Sequence, residues 1–175
     1  MPTENELKFV LNRDTEEFFK TNALQKAVIN QGYLLSSKGM SLRCRKTKNK
    51  YYLTLKSSVN NRVVEIENQI EERDFNDLWT QCMNKLEKIR YVLTDNRSQT
   101  WEVDFFKDHN NNNYFCLAEL EMPEFQLAPK HVPRYIKDNL LFEVPLTDCR
   151  FASKLLADVR YATELYGEIK KNEKV

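Results

Sequence analysis

The sequence is poor in the residues that break secondary structure and in those that commonly bind metals. Of its 175 residues, three are glycine and two are histidine. Because glycine is this scarce, no flexible linker or internal repeat stands out, and we expect residues 1–175 to form a single domain. His109 and His131 stand alone in the sequence, which favours surface or loop positions over metal coordination.

Long apolar segments are also missing. No run of about 18 apolar residues is present, and residues 1–6 are acidic and polar, so neither a membrane-spanning helix nor a signal peptide is predicted. The four cysteines are far apart and form no CxxC pair, which argues against a metal knuckle. We therefore expect a cytoplasmic protein with free thiols and no membrane partner.

Charge of one sign is not in excess either. Lysine and arginine number 27 and aspartate and glutamate 26, which leaves a formal net charge of +1. A protein that binds nucleic acid through bulk electrostatics would carry a clear positive excess, so no nucleic-acid partner is expected. The hydrophobic fraction of 41% is enough for a sizeable core.

Three segments have the apolar spacing of helices. A helix is predicted over residues 14–30, with Asp14 and Glu17 resembling a capping box and Gly32 as its stop. Two more are predicted over residues 74–86 and 148–171. Between the helices the apolar period falls to two, which is typical of antiparallel strands joined by short connections. The predicted strands are Glu4–Leu11, Ser41–Lys46, Tyr51–Ser57, Val63–Ile70, Lys88–Thr94, Thr100–Phe106 and Tyr114–Met122.

These strands alternate apolar residues with charged ones, so each is apolar on one side and ionic on the other. Several carry two like charges on the ionic side, which is unfavourable unless an opposite charge lies across from them. The acidic members of the ionic side are Glu4, Glu6, Glu65, Glu67, Glu102, Asp104, Glu119 and Glu121, and the basic members are Lys8, Arg43, Arg45, Lys56, Lys88 and Arg90.

Two arrangements are compatible with this pattern. In the first, an open antiparallel sheet turns its ionic face to water, where cross-strand ion pairs contribute about 0–1 kcal/mol each. In the second, the sheet closes into a barrel, which removes its edges, and the ionic face lines a wet tunnel. The scarcity of neutral polar residues on this face and the paired arginines, which suit phosphate, favour the tunnel. A polyanion that enters with divalent metal ions would satisfy charges of both signs.

The order of the charged motifs is similar to that of the CYTH superfamily, the triphosphate tunnel metalloenzymes. Glu4-x-Glu6-x-Lys8 resembles its ExExK signature, and the later strands resemble its RxR, LTxK, ExE, KxRY, WExDxF and AExE motifs in the same order. Residues 143–151 resemble its EVTxDxRY segment with one inserted residue, with Phe151 in place of tyrosine and Ser153 in place of a following asparagine. The resemblance covers most of the chain.

What the resemblance implies is an α+β fold, a closed eight-stranded antiparallel β-barrel with a charged interior and helices packed outside. It implies an enzyme, a metal-dependent triphosphatase, with inorganic triphosphate as the first expectation for its small-molecule substrate. The alternatives are an adenylyl cyclase of the same fold, a thiamine- or nucleoside-triphosphate hydrolase, and a non-catalytic polyphosphate binder. A monomer and a homodimer are both compatible with the sequence.

The resemblance also implies roles for the ionic residues. Glu4, Glu6, Glu119 and Glu121 are expected to hold Mg²⁺ or Mn²⁺. The cations expected to bind the triphosphate are Lys8, Arg43, Arg45, Lys56, Lys88 and Arg90. Glu65, Glu67 and Asp104 are candidates for orienting the attacking water or holding a second ion, and Lys8 is counted with them as catalytic. Because no Ser, Cys or His arrangement indicates a nucleophile, direct attack by water is expected.

Overall fold

The computed structural model describes residues 6–59, 62–123, 129 and 131–172, with only the backbone described at residue 62. Nine strands and five α-helices lie within these ranges. The strands are β1 (Glu6–Leu11), β2 (Gln25–Ser37), β3 (Met40–Thr47), β4 (Lys50–Val59), β5 (Arg62–Ile70), β6 (Asn84–Thr94), β7 (Thr100–Lys107), β8 (Asn113–Glu121) and β9 (Leu140–Val144). The helices are α1 (Glu16–Asn22), α2 (Glu72–Gln81), α3 (Arg134–Lys137), α4 (Ser153–Leu156) and α5 (Val159–Asn172).

The strands form one open antiparallel sheet in the order β5-β4-β3-β2-β6-β7-β8-β1-β9. β5 and β9 are its edges, and no ladder joins them in the part of the chain that the structure describes. The expected closed eight-stranded barrel with a charged interior is therefore wrong. β9 has five residues against nine in β5, and Pro145, directly after β9, has no N–H with which to extend a ladder. The ionic residues instead line a groove in an open sheet.

One face of the sheet is apolar and lies under helices, as the alternating pattern predicts. Trp101 of β7 is fully buried there, together with Phe19 of α1 and Ile136 of α3. α2 covers the same face further along, where Phe75 packs against Cys44 of β3. Burial of these large side chains is the main stabilisation of this side of the sheet.

The opposite face is divided along the strands into an ionic end and an apolar end. On β8, Glu119 belongs to the ionic end, whereas Phe115, four residues earlier on the same face, is fully buried at the apolar end. α5 covers the apolar end, and the rings of Tyr166 and Phe115 meet edge to face with centroids 5.7 Å apart. The expectation that the helices pack only outside is thus wrong for α5, because the apolar end of this face also requires cover.

The prediction of one long helix over residues 14–30 is also wrong. α1 ends at Asn22, and the chain then forms β2, which pairs with both β3 and β6. The two hydrogen-bonded ladders outweigh the local helical spacing, which is a weak signal on its own. Gly32 is not a helix stop. It lies inside β2, where an added Cβ would meet Sγ of Cys82 at 2.6 Å.

The other two predicted helices are shorter or interrupted. Residues 84–86, the end of the predicted helix 74–86, begin strand β6. Over residues 148–171 the chain forms a 3-10 turn, Cys149–Phe151, and then the separate helices α4 and α5. None of the helices among the described residues is long and apolar enough to cross a membrane.

Candidate active site

The ionic end of the sheet lines a cavity of about 480 Å³, a size typical of small-molecule sites. Strands β1 to β8 and the segment after β9 all contribute to its walls. Glu6 and Glu119, two predicted metal ligands, line it, whereas Glu65, Glu67 and Asp104 lie behind or beside its walls. The cations predicted to bind triphosphate all line it: Lys8, Arg43, Arg45, Lys56, Lys88 and Arg90.

Asp104 lies behind the cavity wall as a fully buried acid between two cations. Arg90 donates from Nε to Oδ1 and from Nη2 to Oδ2 of Asp104, both at 2.7 Å, and Lys88 Nζ donates to Oδ2. Burial alone would raise the pKa of Asp104, but Lys88 and Arg90 outweigh it and lower the pKa to about 2. Asp104 is therefore an ionised anchor that fixes two cations at the cavity wall.

Lys8 bridges two acids across β1 and β8. Its Nζ donates to Glu6 and, at 2.8 Å, to Oε1 of Glu119. Burial by itself would lower the pKa of Lys8, but the carboxylates of Glu119 and Glu6 more than offset it and raise the pKa. Glu119 also accepts from Nη2 of Arg90 at 3.3 Å. The Glu6 and Glu119 carboxylates are thus close enough to share one cation.

A second group of ion pairs lies toward the edge strand β5. Glu65 accepts from Nη2 of Arg43 and is paired with Nζ of Lys56, each at 3.3 Å. Glu67 accepts from Oγ1 of Thr54 at 2.8 Å. The Glu65 side chain is 39% exposed, so water competes for these contacts and the pairs are weak. Arg43 and Lys56 are therefore able to exchange Glu65 for an anionic ligand.

Arg43 and Arg45 keep donor capacity that the described part of the protein does not use. Nε of Arg43 is buried without a hydrogen-bond partner there. Nε of Arg45 donates to the neutral Gln31 amide at 3.0 Å, and Gln31 donates to the hydroxyl of Tyr33 at 2.6 Å. Burial and the like charges of Arg43 and Arg90 lower the pKa of Arg45. A multiply charged anion would satisfy the free donors and relieve this repulsion.

Four acids form a row across β1, β8 and β7. Glu6 lies directly opposite Glu121, and Glu102 directly opposite Glu119. Like charges in such positions repel each other unless a cation lies between them. A second cavity, of about 540 Å³, lies beside this row and is lined by all four acids and by Arg97.

These acids would supply only part of the ligands of a metal ion, and the substrate would supply the others. Within residues 6–59, 62–123 and 131–172, no three His, Cys, Asp or Glu side chains converge closely enough to hold a metal ion. Glu4, a predicted ligand, lies outside the described residues. Mg²⁺ is usually held by one or two carboxylates together with phosphate oxygens of the substrate. Glu6 and Glu119, which converge on one ammonium group, suit that arrangement.

Sequence reasoning missed several residues of the cavity. Tyr33 lines the cavity and its hydroxyl accepts from Gln31. Both residues lie just beyond the predicted helix 14–30, in strand β2, which the helical spacing of that segment obscures. Glu102 was placed on the ionic face without a role. Ser153 and Lys154 line the cavity from outside the sheet, and no strand pattern could have brought them there.

The comparisons with known proteins point to one family, although a scan against models of protein families gave no match. The chain is 31% identical to the inorganic triphosphatase of Acetivibrio thermocellus over 155 residues, which cover 81% of this chain and 94% of that protein. It is 30% identical to the inorganic triphosphatase of Nitrosomonas europaea over 157 residues, which cover 89% and 97%. The crystal structure of the inorganic triphosphatase NE1496 matches with a TM-score of 0.60 and 29% identity, over 90% of this chain and 95% of that one.

These similarities span nearly the full length of the relatives. They agree with the order of the charged motifs and with the cavity in which the six motif cations meet. The chain therefore belongs to the CYTH superfamily, the triphosphate tunnel metalloenzymes.

Proposed function

We propose that the protein hydrolyses inorganic triphosphate to pyrophosphate and phosphate in the ionic cavity, with Mg²⁺ or Mn²⁺ as its metal. The observation that carries this proposal is the convergence of six cations, from four strands, on one cavity that is flanked by a row of carboxylates. Triphosphatase activity as such follows from the family, since both curated relatives bear that name. The inorganic substrate and the metal are the parts that we add.

The cations would bind and orient the substrate. Phosphoryl transfer depends mainly on positioning and on neutralising charge. In the proposal, water attacks the terminal phosphorus, the bond to the bridging oxygen breaks, and pyrophosphate leaves with the electron pair. Arg43 and Arg45, which keep unused donors in the described structure, would bind phosphate oxygens in a bidentate manner. Lys56, Lys88, Arg90 and Lys8 would stabilise the charge that develops on the leaving group.

The acids would serve two purposes. Glu6 and Glu119, with Glu121 and Glu4 beside them in the predicted set, would hold the metal at the row of carboxylates. A bound Mg²⁺ or Mn²⁺ neutralises phosphate charge and lowers the pKa of coordinated water. Asp104 would act as a positioning residue, because it is buried behind Lys88 and Arg90. Glu65 and Glu67 stay the predicted residues for orienting water.

The lining of the cavity favours an inorganic substrate over a nucleotide. Recognition of adenine or thiamine would call for an accessible aromatic ring near the phosphates. Among the residues described along the 480 Å³ cavity, Tyr33 is the aromatic one, and it is 4% exposed with its hydroxyl bonded to Gln31. Tyr51 packs instead on Phe75 under α2, with ring centroids 5.1 Å apart. Both rings are thus poorly placed to stack on a base.

The test is phosphate release from inorganic triphosphate, ATP and thiamine triphosphate, each with Mg²⁺, Mn²⁺ or EDTA. We expect fast, metal-dependent release from inorganic triphosphate and slow release from the two organic compounds. Faster release from ATP or thiamine triphosphate would overturn the substrate assignment. Cyclic AMP in the ATP samples would identify a cyclase, and tight binding of triphosphate without release would identify a non-catalytic binder.

A further inference from the structure

The segment after β9 reaches the cavity from outside the sheet. Phe151 anchors it: its ring is fully buried and stacks on Phe142 of β9, with centroids 5.8 Å apart. A second anchor is Leu156, also fully buried, whose carbonyl oxygen accepts from the hydroxyl of Tyr114 at 2.8 Å. The residues between these anchors are therefore held in place, and Ser153 and Lys154 line the cavity there.

Lys154 differs from most cations of the cavity in its partners. Five of the six sheet cations form ion pairs: Lys8, Arg43, Lys56, Lys88 and Arg90. Lys154 forms none with the described part of the chain, although it lines the same cavity.

The acid in the segment that lines the cavity, Asp148, is already engaged. Asp148 accepts from Nε of Arg150 at 3.0 Å and is paired with its Nη2 at 2.7 Å. The carboxylate also accepts from the backbone N–H of Arg150 at 3.1 Å. Asp148 therefore neutralises Arg150 rather than Lys154, and the ammonium group of Lys154 adds positive charge to the cavity.

We infer that Lys154 is a substrate-binding residue that contacts a phosphate of the triphosphate from the side away from the sheet. The inference rests on the proposed function and extends it. Because the sheet is open, sheet residues alone leave one side of a bound triphosphate facing water. A lysine on a flexible four-carbon stem is a compact point charge that reaches such an oxygen, and its contact is charge-assisted. The site is thus completed by a residue outside the motif strands.

The test compares three variants with a matched control. Lys154→Ala should raise KM for inorganic triphosphate by about tenfold, the loss expected for one hydrogen bond to a charged group, while kcat changes by less than about twofold. Lys154→Glu should raise KM further, because it places a like charge near the phosphates, and Lys154→Arg should restore most of the affinity. Lys137→Ala, which removes the same charge from an exposed site on α3, should leave KM unchanged.

The outcomes separate this inference from the proposed function. If the unaltered protein hydrolyses triphosphate and both Lys154→Ala and Lys154→Glu keep its KM, the inference is wrong and the function stands. If the unaltered protein releases no phosphate, calorimetric titration with inorganic triphosphate replaces KM, and equal affinity of the protein and Lys154→Ala overturns the inference. Lys154→Met, which keeps the length of the side chain, repeats the comparison should the alanine variant lose stability.

Discussion

At the scale of single residues, Asp104 determines how the cations of the cavity are arranged. Its carboxylate is fully buried and binds Lys88 and Arg90 at once. A buried acid without these partners would lose its hydration and shift toward the neutral form. With them, it stays ionised and holds two long side chains in fixed positions. The arrangement costs desolvation and gives pre-organisation, which phosphoryl transfer requires.

Replacement of this acid should therefore be costly. Asp104→Asn keeps the shape of the side chain but removes its charge, which leaves Lys88 and Arg90 without their shared counter-ion. We expect the free energy of unfolding to fall by about 3 kcal/mol, the range for breaking a buried ion pair, as measured by urea denaturation. Glu65→Gln is the matched control: Glu65 is 39% exposed, and its loss should cost at most about 1 kcal/mol. Similar losses in the two variants would contradict this account.

The lowered pKa of Asp104 also makes the free energy of unfolding depend on pH. In the unfolded chain its pKa returns to an ordinary value near 4, whereas in the folded protein it is about 2. The unfolded state thus takes up the proton first, so the stabilising contribution is complete above pH ~4 and is lost as the pH falls toward 2. Between pH 4 and pH 2 the free energy of unfolding of the unaltered protein should fall by about 2 kcal/mol more than that of Asp104→Asn. Urea denaturation at each pH measures both. Parallel pH profiles would refute this.

At the scale of secondary-structure elements, the close contact between β2 and the end of α2 depends on Gly32. A Cβ at this position would lie 2.6 Å from Sγ and 2.9 Å from Cβ of Cys82, and 3.1 Å from the ring of Trp79. These atoms belong to a packed layer that cannot move without loss of contacts elsewhere. The absence of a side chain is therefore what lets α2 lie against the sheet next to the strand that carries Arg43 and Arg45.

A pair of glycine substitutions tests this contact. Gly32→Ala should destabilise the protein by about 1–3 kcal/mol, the usual cost of overpacking. Gly167→Ala should raise stability by up to about 1 kcal/mol, because Gly167 lies in α5 with open space around its added Cβ and alanine is the better helix former. Thermal unfolding of both variants measures the contrast. A neutral Gly32→Ala variant would mean that α2 lies further from β2.

The elements that sequence reasoning found are those with a strict period of two. Alternation of charged and apolar residues located seven of the nine described strands, since along each of them the charged residues fall on one side and apolar residues on the other. β2 was missed because residues 14–30 also have helical spacing, and the pairing of β2 with β3 and β6 is a tertiary effect that no local window contains. β9 was missed because it has five residues and follows no charge pattern.

In the candidate site, too, the features set by local alternation could be predicted and those set by tertiary packing could not. The cations were placed correctly on one face, because alternation fixes which side of a strand a residue faces. Closure of the sheet was an inference about the meeting of two distant edges, and sequence period says nothing about strand tilt or shear. The ionic residues do not need closure, since Asp104, Glu119 and Glu65 supply counter-charges within an open groove. Lys154 arrives from a separate segment that packs through Phe151 and Leu156.

At the scale of the whole molecule, the cavity is a concentration of like charge that folding assembles from distant parts of the chain. Arg43, Arg45 and Arg90 lie close enough for burial and mutual repulsion to lower the pKa of Arg45. Such self-repulsion opposes the compact state. A bound polyanion would turn this destabilising effect into a stabilising one, since the same cations would then attract its several negative charges. Binding should therefore be visible in the stability of the entire fold.

Inorganic triphosphate at about 100 times its dissociation constant should stabilise the protein by about 2.7 kcal/mol. For a chain of this size, that corresponds to a rise in Tm of about 5–10 °C, as measured by calorimetry in EDTA so that the ligand is not consumed. The control is sodium chloride at the same ionic strength, which screens the repulsion without entering a specific site and should raise Tm far less. Equal shifts with the two salts would mean that the cavity responds to screening alone and that its cations do not act together on one triphosphate.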